Sequence, residues 1–168
     1  MDAGLVQAAG AAYPPGMSGF EARNGTRGGR QPGGRFMAWY NRRTAKKIRA
    51  GGGKVMGLDP VLLITVGAKS GQVRETPVAR FPGPEGSWYV VASANGAAKN
   101  PAWYHNIAAH PDEVRIVVDG VESAVTAEQL HGADRAAAWS QICAAQPRFA
   151  KYGEKTDRDI PVIKLSPV

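Results

Sequence analysis

Apolar and polar positions alternate along this chain in short blocks rather than long ones. Val61 to Val66 is an unbroken apolar and β-branched run after Asp59-Pro60, which predicts a buried strand entered through a turn. Arg74 to Phe81 alternates in part and stops at Pro82-Gly83-Pro84-Glu85-Gly86, and Trp88 to Ser93 resumes the strand pattern. Two successive hairpins follow from that spacing. Val114 to Val118 and Val121 to Leu130 flank Asp119-Gly120, the strongest local hairpin signal in the chain.

Helical spacing is rarer. Pro101 to Ala109 predicts a short helix with Asn100 as cap, Pro101 in the first turn and His110-Pro111 closing it. Asp134 to Ala145 is alanine-rich, with Trp139 and Ile142 near helical spacing, and ends before Pro147; Ile160 to Leu165 is a last strand. Strands joined by tight turns, with few helices between them, imply an antiparallel α+β domain in the form of a small barrel.

The N-terminal third is different. Gly16 to Gly34 is rich in Gly, Asn and Arg and holds little to bury, so it cannot offset its own ordering entropy and is expected to be a flexible tail. From Arg35 to Arg49, Phe36, Trp39, Tyr40 and Ile48 are interleaved with Arg42, Arg43, Lys46, Lys47 and Arg49, without Gly or Pro. That is a basic amphipathic helix, and Gly51-Gly52-Gly53 ends it. The expected organisation is a tail over 1–34, a helix over 35–50 and a barrel over 51–168.

Composition narrows the class. The 168 residues suffice for one domain with a core; 43% are hydrophobic and no long apolar run is present, which argues against disorder and against a membrane-spanning chain. The single cysteine, Cys143, excludes an internal disulfide framework and thiolate metal sites. Met1 to Ala12 lacks a basic segment ahead of an apolar one, so no signal peptide and a cytoplasmic location are expected. The net charge of +7 is uneven: up to Leu58 the balance is +8, and the remainder carries −1. Three uses fit the basic helix: aromatics packed over the domain with solvated cations, a membrane-surface helix on anionic lipid, or nucleic-acid contact. The folded part adds no basic surplus, so no nucleic acid is expected.

Two segments have the chemistry of a site. In the turn Gly67 to Pro77, Gly67 and Gly71 allow close backbone approach, Lys69 and Arg74 bring positive charge, and Ser70 and Gln72 bring neutral donors. Such a turn can hold a phosphate or carboxylate, or can be an ordinary hairpin turn with solvated cations. It is not a P-loop, because Ala68 precedes Lys69 and a strand follows instead of a helix. In the second segment Ser93 ends a strand, Ala94-Asn95-Gly96-Ala97-Ala98-Lys99 is a small-residue loop, and the helix near Pro101 presents its free amides to that loop. Trp103 and Tyr104 fit a ligand wall there, or the core.

Together these residues resemble the deazaflavin-dependent nitroreductase family, actinobacterial enzymes that use reduced coenzyme F420 and act as quinone reductases. The resemblance runs from Phe36 to the C-terminus. It rests on Gly-x-Lys-Ser-Gly-x-x-Arg-x-x-Pro from Gly67 to Pro77, on Ala92-Ser93-x-x-Gly followed by Lys99-Asn100-Pro101-x-Trp103-Tyr104-x-Asn106, and on Tyr152-x-x-Lys-Thr-x-Arg-x-Ile-Pro. It implies a split β-barrel like that of FMN-binding, pyridoxamine-phosphate-oxidase-type proteins, and reduced 8-hydroxy-5-deazaflavin (F420) rather than FMN as the cofactor. Lys69 and Arg74, with Ser70, Gly71 and Gln72, would hold the coenzyme's anionic part. Pro77, Ser93, Ala94, Asn95, Gly96, Ala97, Lys99, Asn100, Trp103 and Tyr104 would line its phosphate and ring.

The same resemblance makes Ser93 and Tyr152 the catalytic candidates, with Ser93 near the reacting ring, and puts Trp39, Phe149 and Tyr152 toward the substrate. Two positions depart from the family. Ala94 stands where members often carry lysine, so a phosphate contact is missing or passes to Lys99. Phe149 stands where the nitroreductase has a tyrosine, which disfavours nitroimidazoles more than quinones. His105 and His110 do not share a helical face and His131 is isolated, so neither a metal site nor a His-based triad is expected. Cys143 is read as a buried, inert thiol.

The function expected is hydride transfer from the reduced deazaflavin to a quinone-like or other flat, electron-poor acceptor. The basic helix would close over the acceptor or lie on a membrane, and a homodimer is compatible with the exposed barrel edges. The alternative is a non-catalytic barrel that binds a flavin, lipid or fatty acid.

Overall fold

The computed structural model describes residues 19–31 and 33–168. The expectations for the first twelve residues, and for 13–18 and 32 within the tail, lie outside the described residues.

The chain turns on strand β1 (Pro60–Val66), which explains its unbroken apolar run. Val61 and Leu63 face one cluster, with Val90, Tyr104, Ile163 and Leu165. Leu62 and Ile64 face another, with Ala45, Ile48 and Val117. A strand covered on both faces needs no polar alternation.

Helix α1 (Arg35–Arg49) supplies the cover for the second face. Thr44, Ala45 and Ile48 are its buried positions, and the half-buried Met37 and Asn41 extend the same stripe. Lys46, Lys47 and Arg49 sit in the last turn, where cations complement the helix dipole. Past Ala50, the Gly51 and Gly52 amides return to the Ile48 and Lys47 carbonyls at 3.0 and 2.8 Å, the cap expected of the glycine run.

β2 (Val73–Ala79) pairs with β1, Val66 opposite Val73 and Pro60 opposite Ala79. β3 is only Phe81–Pro82 and pairs with β4 (Trp88–Val91). β5 (Val114–Val118) and β6 (Val121–Gln129) form the hairpin predicted at Asp119-Gly120, whose φ values of 50° and 80° are those of a type I′ turn. β7 (Val162–Pro167) lies between β6 and β4. All pairs are antiparallel, in the order β2-β1-β5-β6-β7-β4-β3.

The expected single strand from Arg74 to Phe81 is therefore two. β2 and β3 are separated by Arg80 alone, yet they occupy opposite edges of the sheet. One residue cannot span a flat seven-stranded sheet, since neighbouring strands are about 4.8 Å apart. The sheet must curl until its edges meet. The result is the α+β split barrel expected from the sequence, with a seam between β2 and β4. Arg80 holds the crossing: its amide donates to the Asp59 carbonyl at 2.9 Å, Nη1 to the Pro60 carbonyl at 2.7 Å, and its guanidinium lies 4.7 Å from the Trp88 ring centre. Pro77, which lacks an amide proton, falls in edge strand β2, where proline is tolerated.

Helices α2 (Ala102–Ala109), α3 (Gly132–Ala145) and α4 (Arg148–Lys155) complete the fold. α2 is capped by Pro101 rather than Asn100, whose side chain turns inward. Pro147 does end α3, but it also caps α4, which the sequence reading did not predict. α3 and α4 cover the other outer face of the barrel, placing Ile142, Phe149 and Tyr152 against Phe81, Val91 and Val162.

The described part of the N-terminal tail is laid on the barrel instead of standing free. Phe20 meets the Tyr104 ring edge-on at 6.1 Å, the Ala22 amide donates to the Tyr104 hydroxyl at 2.9 Å, and Gly25 and Gly29 amides donate to Ala98 and Gly96 carbonyls at 2.7 and 2.9 Å. Asp157 accepts from the Thr26 and Arg27 amides at 2.9 Å. Glycine here serves close approach rather than mobility: a Cβ on Gly28 would stand 2.5 Å from the Ala98 nitrogen. Composition alone hid this, because the strap is held by backbone bonds with few apolar side chains.

Candidate active site

The seam carries a cleft. Its first half, about 450 Å³, is bounded by Pro77, Val78 and Ala79 of β2, Val91 of β4, the loop Ser93 to Asn95, Trp103 of α2, and Met37, Tyr40 and Asn41 of α1. The second half, about 550 Å³, is bounded by the turn Gly67 to Ser70, by Arg74, and by His105 and Asn106. Thr76, Ala102 and Trp103 line both halves, so the two adjoin.

Asn106 explains why two segments distant in sequence share one cleft. Its Oδ1 accepts from the Ala68 amide at 3.0 Å and its Nδ2 donates to Thr65 Oγ1 at 3.3 Å, tying the 67–71 turn to α2. The turn is closed on itself by Gly67 and Gly71 amides, bonded to the Gln72 and Gly67 carbonyls at 2.8 and 2.9 Å. Lys69, Ser70 and Arg74 face the cleft, whereas Gly71 and Gln72 stay outside its lining. Among the described residues neither Lys69 nor Arg74 is ion-paired; the neighbouring carboxylate, Glu75, is taken by Arg49. Two unpaired cations at one end of an apolar cleft are suited to an anionic ligand group.

Ser93 is 6% exposed and lines the apolar half. Its carbonyl is occupied, but its hydroxyl bonds to no described group and is not a buried atom lacking a partner, so it opens onto the cavity. Ala94 and Asn95 line the same half, with φ of 44° and 55°. Positive φ at a non-glycine residue costs about 1–2 kcal/mol and persists only where surrounding bonds enforce it.

The remaining expected site residues line neither half of the cleft. Gly96 and Ala97 are buried in the loop, and Lys99 is exposed, its carbonyl accepting from Gln31 Nε2 at 3.0 Å. Asn100 Nδ2 donates to the Ala22 carbonyl at 3.3 Å. Tyr104 is 2% exposed; burial raises its phenol above the ordinary value, and the phenol donates to Gln129 Oε1 at 2.6 Å. Phe149 lies in the core, 5.4 Å from the Phe81 ring, and lines neither half. Tyr152 is one layer back, its hydroxyl 3.6 Å from the sulfur of Met56, which does reach the cavity.

Trp39 does not line the cleft. It is 49% exposed beside Phe36, ring centres 5.9 Å apart, with Arg43 over its face at 5.7 Å. Met37, Tyr40 and Asn41 form the wall instead, because the helix seats its narrow Thr44-Ala45 face on the sheet and the stripe upstream of that face reaches the cavity. Reading the helix by its smallest residues instead of its largest would have found this wall. The strap's contribution, Gln31, had no sequence signal.

A separate hollow of about 670 Å³ lies between the strap and the start of α3. Three of its charged side chains are engaged already: Asp157 holds Thr26 and Arg27, Arg135 donates to the Ile160 carbonyl at 2.8 Å, and Arg158 donates to Ser93, Ala97 and Asn100. In the seam cleft Lys69 and Arg74 have no ion-pair partner among the described residues, and the Ser93 hydroxyl is unbonded.

Seven antiparallel strands closed at a seam, with a cleft apolar at one end and cationic at the other, define a split-barrel protein of the cofactor-binding type. Residues 35–167 match the F420H(2)-dependent quinone reductase family, and the chain belongs to that family. An F420H(2)-dependent quinone reductase of Mycobacterium tuberculosis is 36% identical over 119 residues, 68% of this chain and 78% of that protein. A solved F420-H2 dependent reductase is similar at a TM-score of 0.58 and 38% identity, over 64% of this chain and 94% of its own. A second solved chain, described as a domain-swapped dimer, has a TM-score of 0.59 at 34% identity, over 77% of this chain and 98% of its own.

Proposed function

We propose that this chain binds reduced coenzyme F420 along the seam and passes a hydride to a quinone-like acceptor. The observation that carries this reading is that the two halves adjoin: Thr76, Ala102 and Trp103 border both, which supports one long ligand lying with a flat ring beside Ser93 and an anionic tail over Lys69 and Arg74. Each half falls within the usual range for small-ligand sites. The bound coenzyme supplies the hydride; a proton from water completes reduction of the acceptor.

The chain's own residues position and polarise. Pro77, Val91 and Trp103 give the ring apolar walls, and Met37, Tyr40 and Asn41 cover the acceptor from the α1 side. Ser93 Oγ donates to an oxygen that gains charge as hydride moves. Tyr152 acts at one remove, by supporting Met56.

Two finer proposals follow. Phe36, Trp39 and Tyr40 are 71%, 49% and 41% exposed beside Arg42, Arg43 and Lys46, a surface suited to peripheral contact with anionic lipid where long-tailed quinones reside. No helix of the described residues is long and apolar enough to cross a membrane, so such contact is one of surface only. A homodimer is supported by the neighbour described as a domain-swapped dimer.

The test is a spectroscopic titration with oxidised F420 and with FMN, followed by mixing the reduced F420 complex with menadione. Tighter binding of F420 and acceptor-dependent reoxidation are expected. Preference for FMN, or binding without reoxidation, would refute the reading.

A further inference from the structure

The loop that carries Ser93 is built around a buried cation. Arg158 is 6% exposed, and its Nη2 donates to the Ser93 carbonyl at 2.8 Å, its Nε to the Ala97 carbonyl at 2.7 Å and its Nη1 to Asn100 Oδ1 at 2.7 Å. No described carboxylate pairs with it. Loss of hydration pulls the guanidinium below its ordinary value, yet an arginine stays charged there. A burial this costly, with all three bonds ending on Ser93 to Asn100, ties the cation to the shape of one loop.

The peptide between Ser93 and Ala94 is the informative one. Its carbonyl accepts from Arg158 and also from the Gly96 amide at 2.8 Å. No described peptide is cis, and in a trans peptide the N–H points opposite to the C=O. With the carbonyl drawn to Arg158, the Ala94 N–H points away from Arg158, which borders the other hollow and not the cleft that Ser93 and Ala94 line. The amides that close the loop are those of Gly96 and Ala97, which leaves the Ala94 amide unused by the loop's own bonds. A cation on the carbonyl also polarises the peptide and strengthens its N–H as a donor.

We propose that Arg158 is a positioning residue: by gripping the Ser93 carbonyl it aims the Ala94 amide into the cavity, where that amide and Ser93 Oγ form a two-donor site for a carbonyl oxygen that gains negative charge. The inference rests on the functional reading above. It explains why alanine suffices at position 94, since the backbone and not the side chain makes the contact. It explains the positive φ of Ala94 and Asn95, a conformation held by the Arg158 bonds at either end of the loop.

Two readouts test it. In ¹⁵N-labelled wild type, the Ala94 amide resonance is followed while oxidised F420 is added, and then menadione. A downfield shift only on menadione is expected, because the acceptor's oxygen is the one that gains charge; a shift already complete on F420 alone places the amide on the coenzyme ring, whose oxygens lose charge as hydride departs, and overturns the two-donor site. In Arg158→Lys, which keeps a charge but cannot span three acceptors, the shift is lost. The same variant lowers kcat with menadione tenfold to hundredfold, somewhat less than deleting a donor outright, while F420 affinity changes less than threefold. Ile142→Ala, a core change in α3 remote from the loop, matches the loss of Tm without that loss of kcat.

An Ala94 amide unmoved in the saturated wild type, or moved equally in Arg158→Lys, overturns the inference, as does a kcat loss no larger than that of Ile142→Ala. If Arg158→Lys fails to fold, the wild-type titration still decides. Failure of the wild type to bind F420 would refute the functional reading and this inference together; turnover with a silent Ala94 amide would refute the inference alone.

Discussion

Neutralising Lys69 and Arg74 tests whether the cationic end of the cleft holds an anion. Both side chains line the second half of the cleft and lack an ion-pair partner among the described residues, so their removal breaks no visible structural bond. Both are exposed. Their attraction to a bound anion therefore belongs at the aqueous end of the scale, about 1 kcal/mol for unit charges near 4 Å. That is roughly fivefold in Kd for Lys69→Gln or Arg74→Gln, and about 25-fold for the pair if they act independently. The loss shrinks toward nothing at about 1 M salt, where the screening length is roughly 3 Å. Fluorescence titration with oxidised F420 measures all three variants at low and high salt. Because the contact is made equally before and during hydride transfer, kcat should stay near wild type while the KM for reduced F420 rises. A double variant that binds within twofold of wild type, or a loss that persists undiminished in high salt, would refute the placement of the anionic tail.

Three further outcomes are expected. Tyr104→Phe removes a phenol bonded to Ala22 and Gln129 and should cost about 1–2 kcal/mol, a fall of roughly 3–6 °C in Tm by calorimetry, together with faster proteolysis in residues 19–31; an unchanged strap would refute its docking. Asp157 is held down to about 2, first by its hydrogen bond from the Thr26 hydroxyl. A depressed carboxylate contributes stability above its unfolded value near 3.8 and loses it as pH falls toward 2, so amide exchange over residues 25–29 should quicken in that window, and Asp157→Asn should remove the step. Phe36→Ser with Trp39→Ser changes exposed side chains and should shift stability by no more than about 0.5 kcal/mol, while reducing co-sedimentation with anionic vesicles and activity on long-tailed quinones more than on menadione; equal losses on both acceptors would refute the membrane role.

What could be read from the sequence was local. The doubly covered strand β1, the Asp119-Gly120 hairpin, the glycine cap after α1 and the chemistry of the Gly67 to Arg74 turn each depend on neighbours a few residues apart, where turn geometry and periodicity operate. The linked motifs around Lys69, Ser93 and Arg158 carried the family and its fold. Tertiary structure decided the rest, because those features depend on contacts between distant segments. The break at Arg80 is dictated by sheet closure, which sends β2 and β3 to opposite edges and opens the seam where the cleft lies. The strap is ordered by backbone bonds to a loop some seventy residues away, which composition cannot register. Met37 and Tyr40 reach the cavity while Trp39 points to solvent, because close helix-to-sheet packing selects the small Thr44-Ala45 face over the aromatic one. The loop beside Ser93 takes its shape from Arg158, 65 positions further on, through bonds that exist only once the barrel has closed.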